Sequence, residues 1–193
     1  MSRYSDLSIT GSTLNYNYGY GGGAVGSTFL SSDGTFELID SELYGNTSQN
    51  GSMLNLQSFD NVTISRSSLT NSYSYYAYDP VVVVDEADVS ITDSTFSGND
   101  LGPGSFGSSG ALLTSYASDL DIVNTTFADN ERVDNILRLY GGTATLDQVT
   151  ITANLVDTSG SGTNDGSVIY AGEDGGTDVE LLVFDSLKRH STR

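Results

Sequence analysis

The sequence predicts an all-β protein, a single-stranded parallel β-helix (solenoid) of about six to seven coils with about 24–35 residues in each. Three observations predict it. The composition, with 22 Gly, 2 Pro and no Cys or Trp among 193 residues, is that of a turn-rich β protein. Apolar pairs with one polar residue between them recur at Leu7/Ile9, Phe36/Leu38, Val62/Ile64, Val89/Ile91, Leu120/Ile122, Ala144/Leu146 and Val179/Leu181. That alternation is the period of a strand with one buried face. The surroundings of each pair also repeat, although the distance between pairs wanders.

Each coil is expected to open on one of these pairs. Five residues after the first member comes a small or β-branched residue: Ser12, Ser41, Ser67, Ser94, Thr125 and Val149. Seven residues after it comes an apolar one: Leu14, Leu43, Leu69, Phe96, Phe127 and Ile151. The chain therefore bends at the small residue and returns to the same core. Ten residues after it stand Asn17, Asn46, Ser72, Asn99, Asn130 and Asn154. Asn tolerates left-handed backbone, and its amide both donates and accepts, so an asparagine ladder at one turn is expected, weakened at Ser72. A further strand in each coil is expected within residues 22–29, 51–59, 80–87, 110–117, 135–142 and 167–174. The last coil fits poorly, with Phe184 where a small residue belongs and Ser186 where an apolar one does. The domain is therefore drawn as residues 1–187, followed by a basic tail at 188–193.

These motifs resemble the β-helix repeats of the polymorphic outer-membrane-protein type, which carry G-G-A-[I/L/V] and F-x-x-N. "GGAV" at 22–25 and "SGAL" at 109–112 are similar to the first motif. "FSGN" at 96–99 and "FADN" at 127–130 match the second, with looser copies in "LNYN", "LYGN" and "ITAN". The resemblance covers about residues 6–155. It implies a right-handed coil, as strand chirality also favours, and a surface-exposed region used in adhesion. Neither an export signal nor a membrane barrel is legible here, so secretion and anchoring are not carried over. The chain is expected to be a piece of something longer, or to associate end to end.

Charge narrows the function. Seven basic against 25 acidic residues give a net charge of −18, so nucleic acid is not an expected partner. No apolar run is long enough to span a bilayer, and membrane insertion is not expected. Such an acidic surface suits a saline, extracellular or cell-surface setting where self-repulsion is screened. The single His, His190, lies in the basic tail, which argues against a Ser-His-Asp centre.

Two groups of residues are candidates for binding. Tyr16, Tyr18, Tyr20, Tyr73, Tyr75, Tyr76 and Tyr78 cluster after the Asn position of the first and third coils, so they should emerge along one loop edge. Aromatic rings with polar tips suit glycan or protein contact, although Tyr also packs over loop backbone. Asp88 and Asp119 fall at the same place in adjacent coils, with Asp121 one pleat further on. That trio is a candidate Ca²⁺ site, unless the carboxylates are simply solvated at the start of a strand. Arg66 between Asp40 and Asp93 reads as an acid-base-acid stack. An ice-binding column of outward Thr is interrupted by Glu37 and Asp121. The expectation is a non-enzymatic adhesion or spacer module that binds a glycan or surface protein, with no certain cofactor. The alternative is a Ca²⁺-assisted polysaccharide lyase or glycan hydrolase of the pectin-degrading β-helix type.

Overall fold

A computed structural model describes residues 6–20, 23–26, 34–49, 52–57, 59–74, 80–102, 110–156, 168–172, 178–185 and 187–188. Among them every paired strand is parallel, and each pairs with its counterpart one coil away. The chain is a parallel β-solenoid. The first sheet stacks Leu7–Thr10, Thr35–Ile39, Asn61–Ser65, Asp88–Thr92, Asp119–Val123, Gly142–Asp147 and Val179–Phe184. The second stacks the three-residue strands centred on Leu14, Leu43, Leu69, Phe96, Phe127 and Ile151, and ends on Leu187–Lys188.

A short third sheet contains Tyr18–Gly19, Thr47–Ser48 and Tyr73–Ser74, and a separate pair joins Glu131–Val133 to Leu155–Val156. Asp100 links the two groups through single bridges to Tyr73 and Glu131. The fourth sheet, from Val25–Gly26 to Ile169–Gly172, falls where the further strand of each coil is expected. The alternating residues point inward as one continuous core, with Phe36, Leu38, Ile64, Ile91, Phe96, Ile122 and Phe127 fully buried. The Phe96 and Phe127 rings stack with centroids 5.0 Å apart. Each such side chain contributes roughly 1.5–3 kcal/mol by leaving water.

Three corners give the coil its shape, and all use left-handed backbone. Between first and second sheets the corner residues are Gly11, Asp40, Arg66, Asp93, Asn124, Gln148 and Asp185, with φ from +37° to +56°. Between second and third they are Tyr16, Gly45, Asn71, Gly98, Asp129 and Ala153. Before the first sheet they are Glu86, Ala117 and Gly141. At the first corner a serine or threonine follows in the first five coils, and Val149 in the sixth. The Oγ atoms of Ser41, Ser67 and Ser94 accept the backbone N–H of the serine one coil earlier, at 3.1–3.2 Å. Each also donates to the carbonyl two residues before it, at 2.8 Å.

Several expectations change. The left-handed residue is the one before each Asn, so Asn stands in its column for its amide and not for its φ. The ladder is interrupted at Ser72, where the weakness is expected, and so is two separate pieces. Asn17 Nδ2 donates to Asn46 Oδ1 at 2.9 Å, and Asn99 and Asn130 donate onward to Asn130 and Asn154 at 3.0 and 2.7 Å. Ser72 lies between the pieces, offering its backbone N–H to Asn99 Oδ1 at 3.1 Å.

Coils two to five are closed by buried residues on every side, whereas the first and the last two are partly open, so the closed body has fewer than the expected six to seven coils. The last coil is shifted by two residues from its expected alignment. Leu181 and Val183 pair with Ala144 and Leu146, and Lys188 with Ile151. Asp185 thus becomes the left-handed corner residue, which removes the misfit at Phe184; Ser186 and His190 lie outside the described residues.

Candidate functional site

The tyrosine edge grows out of the second corner of the first coil. Tyr16 takes left-handed backbone at φ +54°, and its ring lies over Gly45, where a Cβ would come within 2.8 Å of it. It meets the Tyr44 ring edge-on, with centroids 5.3 Å apart, and the hydrogen bond between their hydroxyls holds the Tyr16 phenol above its usual range. Tyr18 donates its hydroxyl to Gln49 Oε1 at 2.5 Å. Tyr18 and Tyr73 both align with Thr47, one coil above and one below, so coils one and three do contribute to one edge. Tyr16, Tyr18 and Tyr20 are 74%, 67% and 67% exposed; Tyr73 is half-buried. Tyr75, Tyr76 and Tyr78 lie outside the described residues.

A groove of about 530 Å³ runs beside the first corner. Asp40, Arg66 and Asp93 stand along one side of it, and Glu42, Ser68 and Thr95 rise from the second sheet. Arg66 grips Asp40 with two donors, Nε to Oδ1 at 2.7 Å and Nη2 to Oδ2 at 2.8 Å. Its guanidinium holds the Asp40 carboxyl below the usual carboxylate range. Asp93 attracts Arg66 only at longer range and takes its own hydrogen bond from Asn124 Nδ2 at 2.6 Å. The expected symmetric stack is therefore a forked ion pair beside a carboxylate-amide pair.

Asp88 and Asp119 do lie side by side in register. Asp119 Oδ1, however, accepts the backbone N–H and hydroxyl of Thr143 at 3.0 and 2.7 Å, as Asp6 Oδ1 accepts the Thr35 N–H at 3.0 Å. At these two positions the column caps the strand of the following coil. Asp121 aligns instead with Ser90 and Thr145. Among the described residues no three His, Asp or Glu side chains are grouped as a metal ion requires. The two-residue shift of the last coil also places Glu180 beside Thr143.

Two arrangements escaped the sequence reading. Tyr116 and Tyr140 stack on the fourth sheet, with centroids 5.2 Å apart and planes 8° from parallel, and Tyr170 meets Tyr140 edge-on at 5.7 Å. Aligning the fourth-sheet strands on Ser118 and Gly142 brings Tyr116 and Tyr140 together two residues earlier, a signal available in the sequence. Their faces are spent on one another, which suits stability better than ligand stacking. Arg132 grips Asp100 through Nε at 2.6 Å and a second contact at Nη2, filling the gap in the third sheet. No family model, no curated protein and no solved structure matches the chain, so a functional assignment rests on these side chains.

Proposed function

We propose that the protein is a non-enzymatic solenoid module of an extracellular or cell-surface setting, and that it binds a glycan through the tyrosine edge of its first coils. The observation that carries this reading is the set of three largely exposed phenols, Tyr16, Tyr18 and Tyr20, standing on a scaffold whose strands are cross-bonded coil to coil. Amphipathic rings present apolar faces and polar tips with little entropy to lose on binding. The net charge of −18 supports a salt-rich setting.

Assignment of the coils to the polymorphic outer-membrane-protein repeat type is part of the same proposal. It is supported by the roles of the two F-x-x-N copies: Phe96 and Phe127 fill the core, while Asn99 and Asn130 cap the corner. The Ca²⁺-assisted lyase reading draws no comparable support, because Asp119 is occupied by Thr143 and Asp121 stands in a different column.

A glycan array tests the proposal. Wild-type protein is expected to bind at least one glycan class, and Tyr18→Ala with Tyr20→Ala to lose that signal while retaining the wild-type circular dichroism spectrum. An array signal untouched by the double substitution would falsify the tyrosine edge as the binding surface.

A further inference from the structure

We infer that the groove beside the first corner is a subsite for a linear glycan bearing amines, an amino-sugar polymer, and that it repels polyuronates. The inference rests on the glycan-binding reading and adds the ligand's charge and path. The groove extends from Gly11 in the first coil to Asp93 and Thr95 in the fourth. At about 4.8 Å per coil, three steps span about 14 Å. It is open to solvent along its length, with a volume of about 530 Å³.

An extended peptide is a poorer occupant. In coils two to four the bordering strands are hydrogen-bonded on both sides, so no open edge is there to pair with a peptide backbone. The lining offers hydroxyls and charges where a peptide would need apolar side-chain pockets. Ser68 and Thr95 can exchange hydrogen bonds with sugar hydroxyls, as both donors and acceptors.

The charges select among glycans. Asp40, Glu42 and Asp93 face one cation, Arg66, and both arms of that guanidinium are engaged by Asp40. Glu42 and the Asp93 oxygen that Asn124 does not hold are left to meet the ligand. A uronate chain would set carboxylates against them, within a molecule of net charge −18, and like charges this close are costly. Ammonium groups would instead be drawn in and hydrogen-bonded. Glu42 and Asp93 stand two coils apart, about 10 Å along the stack, which suits a chain that presents the same face every second unit.

Titration calorimetry at mildly acidic pH, with sugar amines protonated and carboxylates ionised, decides the matter. The probes are oligomers of glucosamine, N-acetylglucosamine and galacturonate of equal length. The glucosamine oligomer is expected to bind, the acetylated one about tenfold more weakly, the galacturonate not at all, with affinity falling as salt rises. Glu42→Gln with Asp93→Asn should weaken glucosamine binding by about tenfold. The remote pair Asp88→Asn with Asp121→Asn, which removes the same charge, should leave it unchanged. Equal losses from both pairs would assign the binding to the acidic surface at large and overturn the inference, as would galacturonate binding or full affinity in the groove variant. If a neutral glycan binds and responds only to the Tyr18 and Tyr20 substitutions, the tyrosine edge stands and the groove subsite falls. If no glycan of any kind binds, both fall.

Discussion

Asn130 shows how much one buried amide holds. Its Oδ1 accepts the backbone N–H of Asn99 at 3.1 Å and the Asn99 side chain at 3.0 Å. Its Nδ2 donates to the Phe96 carbonyl at 3.1 Å and to Asn154 Oδ1 at 2.7 Å. Asn130→Ala would strand several polar groups around a side chain with no exposed surface. Since each orphaned group costs about 1–3 kcal/mol, a loss of at least about 3 kcal/mol is expected in urea unfolding. The converse experiment is at Ser72, whose hydroxyl makes a long 3.4 Å bond to the Thr70 carbonyl. Ser72→Asn should join the two pieces of the asparagine column and add about 1 kcal/mol, read as a higher urea midpoint at unchanged slope. The Asn positions were legible because one polar side chain performs the same task in every coil. The left-handed residues before them were not, since Tyr, Gly, Asn, Asp and Ala share that column.

At the scale of the element, corners store strain and strands offset it. Each non-Gly residue in left-handed backbone costs about 1–2 kcal/mol, and the three corners hold many of them. Strands of three to six residues with hydrogen bonds on both sides supply the compensation. Glycines show where the tolerance ends. At Gly142, φ is +79° and a Cβ would lie 2.2 Å from the Ser118 carbonyl oxygen, which is backbone and cannot turn aside. At Gly45 the obstacle is the Tyr16 ring, which can swing out. Gly142→Ala is therefore expected to cost more than about 2 kcal/mol, and Gly45→Ala clearly less. Thermal unfolding of the two variants side by side checks the order.

For the whole molecule, charge sets the response to solvent. With a net charge of −18 the folded state repels itself, so the unfolding temperature should rise with added NaCl and level off near 1 M, where the screening length is about 3 Å. The Arg66–Asp40 pair responds to pH in a defined sense. Arg66 lowers the Asp40 pKa below its ordinary value of 3.8, so the pair's contribution is present above that value. It is lost as pH falls through the lowered one. Arg66→Ala should lower the unfolding temperature slightly at pH 7, and the difference from wild type should vanish in strong acid. A gap that persists there would place the effect of Arg66 in packing.

The alternating pairs, the Ser and Asn columns and the further strand of each coil were determined by sequence alone, because in a solenoid each coil repeats the same local solution and the repeats reveal it. Register in the last coil was not. Apolar alternation reads equally well two residues earlier at Val179/Leu181, and only stacking on Ala144 and Leu146 selects Leu181/Val183. The candidate sites divide the same way. Tyr16, Tyr18 and Tyr73 could be assigned to one edge by counting. That Arg66 commits both arms to Asp40, that Thr143 occupies Asp119, and that a groove opens beside Glu42 depend on where side chains from different coils meet, which spacing along one chain does not encode.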